Sequence, residues 1–338
     1  MTSAPDSTNR GALKAHLVGG GIAGLASAAY LIRSGVRGEN IQILEEATLL
    51  GGSLDGGGSA ASGYTLRGGR MVTYEAYTCM FDLLSFIPSL TDDKKTVKGE
   101  IYDFNERWVS HSRARLIVQG QKLDASDLGL ANKDRLDLIE IMALGETSLG
   151  AKRIEEMFQA SFFKTNFWFM WSTTFAFQPW HSAAELRRYL HRFIQEFPRI
   201  DTLAGVRRTP YNQYDSIVRP LVKWLQEQGV VFTTGITVTD LDFRYGRTGK
   251  QVERIHYLER GVEATFAVEP DDLVFVTNGS MTAGSSFGSI SAPAKLQADK
   301  GGSWTYGRPW RRSTKASDVR RPLTIILTHP SGSPSPSL

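Results

Sequence analysis

The chain has 338 residues, 41% hydrophobic and 22% charged, a soluble globular composition with enough apolar residues to bury a core. Its single cysteine, Cys79, excludes an internal disulfide and points to a reducing, cytoplasmic setting. The net charge of +4 sits in residues 306–338, where Arg308, Arg311, Arg312, Lys315, Arg320 and Arg321 face only Asp318. The remaining body is near neutral, which argues against a nucleic-acid-binding body. The apolar stretch from Leu17 to Ile32 is interrupted by Gly19, Gly20, Gly21 and Gly24 and follows no basic segment, so it reads neither as a signal peptide nor as a membrane span.

In chain order, residues 1–13 read as a flexible N-terminus. Ala15 to Val18 predicts a short buried strand, Ala23 to Ser34 a helix stopped by Gly35, and Ile41 to Leu44 a second strand ending in Glu45, a β-α-β unit. Residues 51–69 form a Gly- and Ser-rich loop whose backbone must approach something closely. Tyr74 to Phe86 reads as helix, and Lys98 to Gln119 as short strands, among them Ile101 to Phe104 and Leu116 to Val118. Ala131 to Phe197 is mostly helical. There Ser182 and Glu185 match a capping box, and Leu186, Tyr189, Leu190, Phe193, Ile194 and Phe197 make one apolar stripe. Ile217 to Gln228 is an amphipathic helix. Strands return at Val230–Thr233, Ile236–Phe243, Val252–Leu258, Glu263–Val268 and Asp272–Val276.

This order implies an α/β fold: a Rossmann-like sheet domain at 14–97 and 205–305, interrupted by a mainly helical insertion at 98–204 on the substrate side. The Pro- and Ser-rich segment 306–338 has little to bury and reads as a disordered tail.

Gly19-Gly20-Gly21-Ile22-Ala23-Gly24 satisfies G-x-G-x-x-G between a strand and a helix, with Glu45 closing the next strand. In that context the motif is a dinucleotide fingerprint. Gly19 permits the tight turn, Gly21 lets the backbone reach a pyrophosphate, Gly24 lets helix and strand pack closely, and Glu45 accepts from ribose hydroxyls. FAD and NAD share this fingerprint. Gly51-Gly52-Ser53 and Arg67-Gly68-Gly69-Arg70 resemble the Gly-Gly and Gly-Gly-Arg segments of amine-oxidase-type flavoproteins, which implies FAD. The six histidines make no metal-ligand pattern, and no G-x-S-x-G elbow is present.

Several strings are more specific: GGGIAGLASAAYLIRSG, ILEE with GGSLDG, RGGRM, IPSL, PWHSAAELRRYLHRF, RTPYNQYDSIVRPLVKWL and VFVTNGSMT. Together they resemble the oleate hydratase family of FAD-dependent fatty acid hydratases (the myosin-cross-reactive antigen family), from about Lys14 to Trp304. The resemblance implies redox-neutral addition of water across the cis double bond of oleate or linoleate, a hydro-lyase reaction in which FAD shapes the site rather than taking a hydride. It implies that Tyr189 is the acid and Gln213 a second site residue. It also implies FAD contacts from Gly19, Gly21, Gly24, Glu45, Gly52, Ser53, Arg70, Val238 and Asn278.

From the residues alone, Tyr189 lies on an apolar stripe and reads as core packing with a satisfied hydroxyl, and Gln213 as a loop-anchoring amide; it is the motif match that raises both. Many members read RGGRE, the glutamate orienting the attacking water. Here Met71 occupies that position and can do neither proton transfer nor water orientation. Glu75 is the nearest carboxylate in sequence. The aromatic residues from Phe162 to Trp180 fit an acyl channel or a helical core equally well.

The resemblance stops near Thr305, where family members continue into a long further region. A one-base shift of frame converts the expected Leu-Trp-Lys-Ala-Leu-Ala into Tyr306-Gly307-Arg308-Pro309-Trp310-Arg311. The expectation is a truncated product with a non-native tail, weak FAD binding and little turnover. A flavin oxidoreductase and a non-catalytic FAD- or fatty-acid-binding fragment are the competing readings. Contact with a membrane surface would suit a fatty acid enzyme.

Overall fold

A computed structural model describes residues 12–61, 63–66, 71–246, 249–277, 279, 286 and 288–295. The expectations for the tail, the extreme N-terminus, Arg70 and Asn278 lie outside these residues.

The predicted β-α-β unit is present. β1 (Ala15–Val18) leads into α1 (Ile22–Arg33), and β2 (Ile41–Glu45) follows. Ala15, Leu17, Ile41 and Ile43 are fully buried, as expected of parallel strands covered on both faces. With β7 (Val231–Thr234) and β11 (Leu273–Val276) they form a parallel sheet in the order β11-β1-β2-β7. β8 (Ile236–Gly246), β9 (Gly249–Glu259) and β10 (Val262–Ala267) form an antiparallel meander. Leu241, Val252 and Ile255 of the meander bury against Leu44, Val274 and Val276 of the parallel sheet.

Four expectations need correction. Ile101 to Phe104 is not a strand: it lies inside α3 (Val97–Arg107). Val97, Ile101 and Asn105 are spaced by four and all buried, while Asp103, Glu106 and Arg107 face solvent, a helical period missed by reading four residues alone. The helix expected from Tyr74 is confined to α2 (Thr78–Leu84), because the Thr73 hydroxyl and carbonyl capture the Ala76 and Tyr77 amides in a preceding turn. The Gly-rich loop contains a hairpin, β3 (Gly56–Ser59) with β4 (Gly63–Leu66). It closes because Gly58 adopts φ +104°, where a Cβ would lie 2.1 Å from the Gly63 carbonyl oxygen. The amphipathic helix expected from Ile217 begins as a π turn, Tyr214–Val218, and becomes α8 (Arg219–Glu227). Pro220 has no N–H to give the Ser216 carbonyl, so the wide turn falls where an α-helical bond is impossible.

The remaining elements are β5 (Leu116–Val118), β6 (Gln121–Leu123), α4 (Asn132–Ala143), α5 (Glu146–Leu149), α6 (Asn166–Phe175) and α7 (Ala183–Phe193). The Ser182 hydroxyl accepts the Glu185 amide at 3.4 Å, the expected N-cap, while the Glu185 carboxylate bonds to Arg188 at 3.3 Å. Leu186, Leu190 and Phe193 are buried as the stripe predicts, but Ile194 is exposed. The chain tightens into a 3-10 helix over Ile194–Arg199, which changes the phase of the stripe.

The chain divides into two units. One takes in the described residues up to 68, 83–97 and from 211 onward, and holds the parallel sheet, the meander and the β3–β4 hairpin. The other is built from 69–82 and 98–210, and its core is an aromatic and aliphatic cluster from Ala125 to Ile200. Among the described residues no helix is long and apolar enough to cross a membrane.

Candidate functional site

In the sheet unit, the turn between β1 and α1 is held from both sides. The Gly19 amide donates to the Leu44 carbonyl at 2.8 Å, and the Gly51 amide donates to the Gly20 carbonyl at 2.9 Å. Gly19 has φ +106°, and a Cβ there would meet the Thr277 hydroxyl at 2.2 Å. A Cβ on Gly24 would lie 2.1 Å from the Gly19 carbonyl oxygen, the close helix–strand approach expected of the third fingerprint glycine. The Cα of Gly21 would lie 3.1 Å from a Cβ on Gly52, so the two Gly-rich turns meet backbone to backbone.

α1 starts at this junction. Gly21 caps it with no side chain, and no acidic residue stands in its first turn. The first N–H to find an intrahelical acceptor is that of Leu25, which donates to Gly21. Ile22 is engaged by the parallel bridge between Gly21 and Gly51, while the Ala23 and Gly24 amides, in the first turn, have no intrahelical acceptor. Donors at the positive end of a twelve-residue helix, beside a backbone surface cleared of Cβ atoms, fit a pyrophosphate.

Glu45 stands where the fingerprint places it. Its carboxylate accepts the Gly20 amide at 2.6 Å and the Ala47 amide at 2.9 Å, which fixes it at the end of β2 over the glycine turn. Ser53 lies half-buried in the 3-10 turn Gly52–Leu54. Val238 is half-buried on β8, against the sheet cluster, at a register shift in the β8–β9 pairing. Sequence reasoning missed Thr277. Its amide and hydroxyl both donate to the Val18 carbonyl, at 2.9 and 2.8 Å, while the hydroxyl walls the Gly19 turn. The only sequence signal was its place in the VFVTNGSMT string.

Gln213 belongs to the same unit. It is buried and immediately precedes the π turn, which is pinned by a local network. Asn212 bonds to Asp215 through side chain and backbone, Asp215 pairs with Arg219 at 2.8 Å, and the Tyr211 amide donates to the Ser216 hydroxyl. The Arg219 guanidinium, with help from Asn212, holds the Asp215 carboxyl below its ordinary range. Val218, at the end of the turn, packs where a Cβ on Gly51 would be, about 3.1 Å away, so the turn carrying Gln213 buttresses the second Gly-rich turn.

In the helical unit, Tyr189 is half-buried on α7. Phe175 and Phe177 stand edge-on to its ring at 5.4 and 5.2 Å, and the Arg192 guanidinium lies 5.6 Å from the ring centroid. Its hydroxyl bonds to no described residue. Met71, like Tyr189, is partly buried against the aromatic and aliphatic cluster of this unit. Glu75 is exposed. Its neighbour Tyr74 is stacked on Tyr102 at 4.0 Å beneath Arg207, and burial pushes its hydroxyl above the ordinary 10.0 despite that cation.

The aromatic run resolves into packed core. Phe162, Phe167, Trp168, Trp171 and Phe177 are buried against one another, with ring centroids down to 4.0 Å for Phe158 and Phe162. Phe169 and Trp180 face solvent. Among the described residues no cluster of His, Cys, Asp and Glu is suited to a metal ion.

The parallel sheet, its glycine turn and the carboxylate closing the second strand define an α/β protein of the dinucleotide-binding, Rossmann-like class. Within it, the chain belongs to the MCRA family, whose model matches residues 12–318, thirteen residues past Thr305. It is 39% identical over 306 residues to an oleate hydratase of Streptococcus pyogenes serotype M49 (strain NZ131), covering 90% of this chain and 51% of that one. It is 35% identical over 327 residues to a linoleate hydratase of Lactiplantibacillus plantarum, covering 89% and 57%. The chain thus spans little more than half the length of these curated relatives. An oxidoreductase from Methanosarcina mazei superposes with a TM-score of 0.50 at 13% identity, over 79% of this chain and 59% of that one, a likeness of fold alone.

Proposed function

We propose that this chain carries the nucleotide-binding and acid-bearing parts of an FAD-dependent fatty acid hydratase, acting in the cytoplasm on oleate- or linoleate-like substrates. The observation that carries this reading is Tyr189. Its hydroxyl has no partner among the described residues and stands in an apolar, aromatic surrounding, on the helix whose string matches the family's acid.

An isolated alkene is a poor electrophile, so one carbon must receive a proton as water attacks the other. In this reading the Tyr189 hydroxyl gives its proton to one carbon of the double bond. Water adds to the second carbon and loses a proton to solvent, and the phenolate is reprotonated, so H and OH are added with no net electron transfer. The Phe175 and Phe177 rings keep the phenol in a low-dielectric setting. Gln213 supplies an amide able to donate to and accept from substrate oxygens. Gly19, Gly21, Gly24 and Glu45, with Gly52, Ser53, Val238, Arg70 and Asn278, would hold the dinucleotide. Bound FAD contributes shape and electrostatics to the site.

One observation favours a second reading, a fragment that binds nucleotide or fatty acid without turnover: Met71 in place of a carboxylate. The test is to incubate the purified chain with oleate, FAD and a reductant and to analyse the products by mass spectrometry. Hydroxystearate that disappears with Tyr189→Phe supports the hydratase. Ligand binding without product supports the fragment. Reduction of oxidised flavin by substrate supports an oxidoreductase and overturns both.

A further inference from the structure

Met71 leaves the proposed reaction without a carboxylate to hold the attacking water. The polar side chains that follow it, from Thr73 to Cys79, differ in where they stand. Thr73 is fully buried, and its hydroxyl accepts the Ala76 amide at 3.3 Å and the Gln195 side-chain amide at 3.2 Å. Tyr74 lies against Tyr102 and Phe81, with ring centroids at 4.0 and 5.0 Å. Glu75, Thr78 and Cys79 are exposed. Of these side chains, only Tyr77 is packed against the aromatic cluster on which Tyr189 also lies.

One ring links the two tyrosines. Phe193, buried at the end of α7, has its centroid 6.5 Å from that of Tyr77 and 6.3 Å from that of Tyr189, both within the range of aromatic pairing. Phe175 adds to the same wall, 4.8 Å from Phe193 and 5.4 Å from Tyr189. The backbone fixes Tyr77 there. Its amide donates to the Thr73 carbonyl at 3.2 Å, and Val72 exchanges two backbone bonds with Arg207, at 3.3 and 2.8 Å. Gln195, two residues past Phe193, ties the Thr73 hydroxyl to the turn that follows α7. The segment leaving Met71 is thus fastened to the end of the helix that carries the proposed acid.

We propose that the Tyr77 hydroxyl orients the attacking water, in place of the carboxylate that Met71 displaces. The inference rests on the hydratase reading and deepens it. A phenol oxygen accepts a hydrogen bond while keeping its own proton, so it can aim a water without deprotonating it. The water donates one O–H to Tyr77 and directs a lone pair at the second carbon of the double bond. The C–O bond forms as the π pair takes the proton of Tyr189. The added water then loses a proton to solvent, and the Tyr189 phenolate regains one, so charge and atoms balance and Tyr77 is unchanged.

The test measures initial rates of hydroxystearate formation by the intact 338-residue chain with oleate, FAD and a reductant. Tyr77→Phe keeps a ring beside Phe193 and removes only the hydroxyl. It is expected to lower kcat about 10- to 100-fold with KM unchanged, because the lost contact is to the water and not to the fatty acid. Tyr74→Phe, which removes the phenol packed on Tyr102, should leave the rate unchanged. In a Met71→Glu background, where a carboxylate is available, Tyr77→Phe should cost about threefold or less. That dependence separates a role at the water from a role in packing. An unchanged rate for Tyr77→Phe overturns the proposal and leaves the hydratase reading intact. So does an equal cost with and without the carboxylate, or a loss matched by a fall in the urea midpoint. No product from the parent chain overturns the hydratase reading and this proposal with it.

Discussion

Gly24 carries the most exacting single constraint in the dinucleotide turn. Alanine there would place a methyl 2.1 Å from the Gly19 carbonyl oxygen, and backbone cannot yield as a side-chain tip can. Gly24→Ala is therefore expected to destabilise by about 1–3 kcal/mol, as overpacking does, and to abolish nucleotide binding. Urea unfolding and flavin fluorescence titration measure the two effects separately. Tyr189 is constrained differently: its ring is packed but its hydroxyl is not engaged by the described residues, so Tyr189→Phe should leave stability within about 0.5 kcal/mol while removing any turnover. With Glu75 exposed, Glu75→Gln is expected to leave turnover unchanged. A large loss would instead make it the substitute for the missing carboxylate at Met71.

At the scale of elements, two local devices set the positions of the candidate residues. Ser182 starts α7 seven residues before Tyr189, and Ser182→Ala should reduce stability by about 1 kcal/mol, read from the urea midpoint. The π turn before α8 is held by Asp215, whose carboxyl lies below its ordinary 3.8 because Arg219 and Asn212 bond to it. A carboxyl depressed in the folded state contributes stability that is full above its unfolded value and is lost as pH falls through the folded value. The chain should therefore outlast Asp215→Asn at neutral pH, with the two stability curves converging below about pH 3.8. Glu146 on α5, held low by its bond to Arg188 of α7, adds a second loss over the neighbouring acid range.

On the scale of the whole molecule, the sheet unit and the helical unit each have their own core, one of Leu, Ile and Val on parallel strands and one of Phe and Trp on helices. A ligand that binds only the folded sheet unit should stabilise that unit. FAD at a hundredfold its Kd would add about 2.7 kcal/mol to it. Because Trp168 and Trp171 lie in the helical core, tryptophan emission and flavin release need not report one transition on heating. Coincident transitions that FAD shifts together would show instead that the units unfold as one.

The sequence by itself determined the parallel-sheet half of the protein. Strand, glycine turn, helix and terminal carboxylate are contiguous, and each follows from local rules: apolar runs, backbone freedom at Gly19 and Gly24, and the spacing to Glu45. The motif strings likewise carried the family. Tertiary structure decided what depends on distant partners. Helix α3 was misread because its buried face, Val97, Ile101 and Asn105, exceeds the four-residue window that looked like a strand. Thr277 walls the Gly19 turn from 258 residues away, and Val218 meets Gly51 from 167 residues away, contacts that no local pattern records. The aromatic run was legible as apolar but not as core, because hydrophobicity says that a side chain leaves water and not what it leaves water for. Only the packing of those rings against one another made that choice.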